Sequence, residues 1–105
     1  VHIDIERVLL ALPLAPLPGG AKLVQVLQAQ GKRVFGTRIE AHGVPIYTDA
    51  RHYAEAGIPT VLYGAGPRTI LEANAHNADE NLRLNDLRAA TKIVALAVKD
   101  LLGSV

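Results

Sequence analysis

The 105-residue chain contains no cysteine. That excludes a disulfide scaffold, a cysteine-ligated zinc site and a thiol nucleophile. It contains no methionine either, and position 1 is Val; the chain is expected to be one piece of a longer protein. Charge is sparse: 20% of residues are charged, and eleven Lys and Arg against ten Asp and Glu leave a formal net charge of +1. Binding driven by phosphate charge is not expected, so no nucleic-acid partner is assigned. Long apolar runs are missing too. The longest, Val8 to Leu17, is interrupted by Pro13 and Pro16 and is too short to span a bilayer, so no membrane partner is assigned. It lacks the cationic start and the small-residue cleavage site of a signal peptide. Half the residues are hydrophobic, which argues against an extended disordered chain.

His2 to Arg7 alternates apolar and polar residues, the period of a strand with one wet face. Leu12 to Gly20 holds three prolines and reads as a stiff connector, a hinge between two units. Ala21 to Gln30 has helical spacing, with Gly31 as its C-terminal stop. Arg33 to Ala41 alternates loosely and predicts a second strand. Thr48 or Asp49 caps a short helix that runs through Ala56 and ends at Gly57. Ile58 to Tyr63 is apolar and rich in β-branched residues, a third strand, followed by the loop Gly64-Ala65-Gly66-Pro67. Arg68 to Asn81 shows no period. Asn85 caps the clearest helix, Asp86 to Leu102, whose wide apolar stripe predicts packing on more than one side, and Gly103 closes it. Strands alternating with helices predict an α/β fold, a sheet covered by helices.

Three segments carry candidate chemistry, each with a plain alternative. Ala75-His76-Asn77-Ala78-Asp79-Glu80 places one imidazole and two carboxylates on a loop. It is either a solvated acidic turn or a metal-ligand loop in which carboxylates support the histidine. His2, His42 and His52 read as ordinary polar residues. Thr48-Asp49-Ala50-Arg51 is either a helix cap or the setting for an arginine that grips a carboxylate with its planar fork. Gly64-Ala65-Gly66 is either a tight turn or a loop that lets a ligand approach backbone N–H groups; it is neither a P-loop nor a dinucleotide fingerprint.

In this order and spacing, Thr48-Asp49-Ala50-Arg51, Ala56 to Val61, Tyr63 to Pro67, Ala75 to Glu80 and Leu84 to Leu87 before a long helix resemble the C-terminal end of the M20 family. That family comprises zinc-dependent amidohydrolases and peptidases, including acetylornithine deacetylase, succinyl-diaminopimelate desuccinylase, aminoacylase and glutamate carboxypeptidase. The resemblance covers roughly Ala21 to Gly103. It implies that residues 1–12 are the last strand of an α+β lid, 13–20 the hinge, and 21–105 the end of a catalytic domain. By resemblance His76 is a metal ligand, Arg51, Gly64 and Gly66 bind substrate, and Asp49 and Glu80 are supporting residues. No catalytic residue is assigned within the chain. The resemblance implies that the family's His-x-Asp motif, Glu-Glu pair and further Asp come from the N-terminal part of the catalytic domain; no Glu-Glu pair occurs in this sequence, and its one His-x-Asp, His2-Ile3-Asp4, lies in the expected lid strand. The resemblance thus implies part of a hydrolase that cleaves an amide or peptide bond in an N-acyl amino acid or small peptide by metal-activated water, the piece alone being inactive. It implies two zinc ions in the complete enzyme, with cobalt or manganese as substitutes, a homodimeric cytoplasmic parent, and a piece that self-associates. Tyr47 departs from the Gly that many amino-acid deacylases carry before the Thr/Ser-Asp pair. The competing readings are a non-catalytic family member or assembly module with the same fold, and an unrelated stand-alone α/β binding domain.

Overall fold

A computed structural model describes residues 1–10, 12–66 and 69–103. Pro67 of the expected glycine loop, Arg68 of the stretch after it, Ala11 of the expected lid segment, and Ser104 and Val105 lie outside the described residues. Among the described residues four helices follow in order: α1 (Gly20–Phe35), α2 (Ala50–Glu55), α3 (Ile70–Ala73) and α4 (Leu84–Gly103).

The expected α/β fold is not observed: among the described residues there is no strand and no sheet. A strand exists only when a neighbour takes its N–H and C=O groups, and alternation of side chains supplies no neighbour. The expected first strand, the one assigned to a lid, lies open, with Ile3, Ile5 and Val8 exposed. The second expected strand loses Arg33 to Phe35 to the end of α1, and its remainder is irregular. The third, Ile58 to Tyr63, is irregular and partly buried. Burial there raises the Tyr63 hydroxyl above its ordinary pKa of 10.0.

The core is the contact between α1 and α4. Ala90, Ile93 and Ala97 share one face of α4 at spacings of three and four, and Ile93 is fully buried. Buried Gln30 crosses from α1 to donate from Nε2 to the Asp100 carboxylate of α4. The flank of α4 beside this face is open: Leu84, Leu87, Val94, Val98 and Leu102 are exposed, and α1 is the helix that α4 packs against among the described residues.

Gly31 does not stop α1. The helix runs through it to Gly36, whose φ of 75° and N–H bond to the Lys32 carbonyl (2.9 Å) close it. Gly31 instead makes room: a Cβ there would stand 2.8 Å from Cδ1 and 2.9 Å from Cγ1 of Ile39. The Ile39 carbonyl accepts from Gln28 Nε2 at 3.0 Å, which ties the chain after α1 back onto it. Gly31→Ala gains about 1 kcal/mol of helix propensity but overpacks this contact by about 1–3 kcal/mol. Urea unfolding is expected to shift to lower denaturant; a raised midpoint would contradict the close approach.

The start of α2 is capped by Thr48, whose Oγ1 accepts from the Ala50 N–H at 3.2 Å, whereas the Asp49 side chain makes no cap bond. Its end is a Schellman turn: Gly57 N–H bonds the Ala54 carbonyl and Ile58 N–H the Tyr53 carbonyl, both at 2.9 Å, with Gly57 at φ 75°. The helix α3 has a cap that sequence period did not show. Thr69 Oγ1 accepts from the Glu72 N–H at 3.1 Å, and Glu72 pairs with Arg83 at 3.0 Å just before α4. The helix α4 begins at Leu84, one residue before its expected cap Asn85.

The whole is open for its length. Its radius of gyration is 17.3 Å, against about 13 Å for a globular chain of this size. It exposes 8800 Å², against about 5,700 Å² for a folded monomer of this mass.

Candidate functional site

His76 sits in a turn between α3 and α4 that is built almost wholly from polar side chains. Asn74 ends α3 in the left-handed region at φ 50°, and His76 follows at φ 65°. Asn tolerates that region well; any side chain there costs roughly 1–2 kcal/mol. The turn compensates with hydrogen bonds. Asn74 Nδ2 donates to Asp79 Oδ2 at 2.9 Å, and the His76 N–H donates to Glu80 Oε2 at 3.0 Å. Asn81 closes the base, its N–H on the Ala73 carbonyl (3.2 Å) and its Nδ2 on the Asp79 carbonyl (3.1 Å). Both acids of the motif therefore accept hydrogen bonds within the turn. The His76 ring is exposed, and among the described residues it has no hydrogen-bond or ion-pair partner.

Arg51 lies in α2 and is held from two sides. Its guanidinium carbon stands 5.0 Å from the centre of the Tyr47 ring, a cation–π contact. Its Nη1 is 3.8 Å from Glu55 Oε1, one helical turn on. The side chain is 20% exposed, and its Nε is buried without a hydrogen-bond partner among the described residues. A buried, unmatched guanidinium N–H is costly, and a planar carboxylate is the acceptor that matches it. The Asp49 carboxylate makes no hydrogen bond or ion pair among the described residues. Tyr47 was legible only as a departure from a family pattern; its four-residue spacing from Arg51 is the signal that brings ring and guanidinium together.

The glycine loop borders two open hollows, each of about 420 Å³. Gly64 and Ala65 face Leu87, Ala90, Thr91, Val94 and Ala95 of α4 across the first. Ala65 and Gly66 line the second together with Glu80, Asn81 and Leu82. The structure thus brings Gly66 to the same hollow as Glu80, and through Glu80 to the His76 turn. Arg51 and Asp49 line neither hollow.

The order of motifs along the chain agrees with a comparison against family models: the model of peptidase family M20/M25/M40 matches residues 2–100. The chain belongs to the M20 peptidase family. No curated protein and no solved structure matches it. Membership places this M20 chain among metal-dependent hydrolases. Among the described residues no group of three or more His, Cys, Asp or Glu side chains is placed to hold an ion, whereas zinc takes three or four protein donors. His76 is one free donor, and the carboxylates beside it are engaged within their turn. No helix among the described residues is long and apolar enough to cross a membrane.

Proposed function

We propose that this M20 chain contributes one metal-binding histidine, His76, and one substrate-gripping arginine, Arg51, to a zinc-dependent hydrolase of amide or peptide bonds in N-acyl amino acids or small peptides. The observation that carries the reading is the His76 ring, exposed and, among the described residues, unpaired, on a turn whose two carboxylates accept hydrogen bonds from the turn itself. Arg51 supports it from the substrate side: a half-buried guanidinium, steadied by Tyr47 and Glu55, with an unmatched Nε. A carboxylate accepting from that fork would fix one end of the substrate. The Gly64 to Gly66 backbone bears no bulky side chain, and it would let the substrate lie close beside it. Asp49 would act only in support, through the α2 turn that carries Arg51.

By the family resemblance the other metal ligands and the general base come from the N-terminal part of the catalytic domain, so the chain alone is expected to be inactive. The acetylornithine, succinyl-diaminopimelate and N-acyl amino acid deacylases are the subgroups whose substrates carry the carboxylate that Arg51 would take. The experiment is chelation of the complete enzyme. Amide hydrolysis is expected to disappear on metal removal and return with zinc, and hydrolysis that survives chelation would contradict the proposal.

A second reading is an assembly module of the same family that does no chemistry. The open face of α4 favours it, because Leu84, Leu87, Val94, Val98 and Leu102 are all exposed on one helix. It predicts a chain that self-associates on sizing and a complete protein that hydrolyses no amide.

A further inference from the structure

A histidine that binds metal is normally aimed by a bond from its second ring nitrogen to a carboxylate or carbonyl. Here the ring has no such partner among the described residues. What is fixed is the backbone beneath it. The left-handed φ of 65° at His76 sets the direction of its Cα–Cβ bond, and that conformation is unfavourable for a residue with a side chain. The Glu80 carboxylate accepts the His76 N–H at 3.0 Å and so holds the residue there. Glu80 is itself placed by its own N–H on the Asn77 carbonyl at 3.2 Å, and it lines the hollow that Gly66 also lines.

We propose that Glu80 is a positioning residue: it holds the His76 backbone left-handed and thereby aims the imidazole, without touching the metal. This rests on the reading of His76 as a ligand. An error of about 1 Å in such a group costs on the order of a hundredfold in rate, which gives one hydrogen bond on a surface turn a functional consequence. The role belongs to the acceptor oxygen and not to the charge, so Gln serves in place of Glu and Ala does not.

The test uses the full chain labelled for NMR, as wild type, Glu80→Gln and Glu80→Ala. Two signals at His76 are read: the strong HN–Hα Overhauser effect of a positive φ, and amide exchange. In Glu80→Ala the Overhauser signature should be lost and exchange should rise about tenfold, while the amides of α1 and α4 stay unchanged. Glu80→Gln should keep both signals. Unchanged His76 signals in Glu80→Ala would overturn the proposal whatever His76 binds. Zinc retention in the complete enzyme is the second arm. Glu80→Ala should hold zinc about 10–100-fold more weakly, and Glu80→Gln should hold it as wild type does. Equal loss of zinc in Glu80→Gln and Glu80→Ala would mean that Glu80 ligates directly, which also overturns the proposal. Full zinc retention by His76→Gly would defeat the ligand reading, while the NMR arm still decides whether Glu80 sets the turn.

Discussion

His76→Gly in the complete enzyme is expected to lose bound zinc and to lower turnover by at least about 100-fold, because removing partners one shell further out already costs 10–100-fold. Glycine is the informative replacement. It adopts the left-handed conformation of this turn without penalty, so the Glu80 bond to the backbone N–H and the fold of α3 and α4 are retained. Only the ring is removed. His76→Ala deletes the ring too but keeps the strain of a side chain at positive φ. The two variants should lose metal equally, and Ala should lose slightly more stability. Unaltered zinc content and turnover in both would end the assignment of His76.

Arg51→Ala is expected to divide substrates by charge. For a substrate with a free carboxylate, the lost charged hydrogen bonds are worth about 1.5–3 kcal/mol, or roughly 10–150-fold in kcat/KM. The methyl ester of the same substrate cannot use the fork fully and should lose far less. Tyr47 sharpens the test. Its ring lies 5.0 Å from the Arg51 guanidinium, and at an exposed site such a contact is worth about 0.5–1 kcal/mol. Tyr47→Ala should therefore reproduce a few-fold part of the Arg51→Ala loss with the same preference for the free acid, and Tyr47→Phe should reproduce none. Equal losses for acid and ester would show that Arg51 serves stability alone.

The helices were legible where a local device marks them. Gly57 closes α2 through a turn that only a glycine forms readily, and the stripe of α4 shows in its spacing. Gly31 and Gly36 show why α1 was read too short. A glycine that stops a helix and a glycine that admits a neighbour look alike in sequence, and the neighbour, Ile39, lies outside the helix. The strands failed for a non-local reason: Ile3 and Ile5 alternate correctly, but among the described residues no other segment pairs with them, and both remain exposed. At the site, the loop that carries His76 was legible from its cluster of residue types. The left-handed backbone was not, because it depends on a side-chain acceptor four residues on.

The central claim is that the His76 imidazole binds the catalytic metal. The most direct measurement is a crystal structure of the complete zinc-loaded enzyme, with the metal located by its anomalous scattering. The account predicts a His76 ring nitrogen about 2.0–2.1 Å from zinc, with Glu80 still on the His76 N–H. A fully ligated zinc site with the His76 ring outside it would contradict the account.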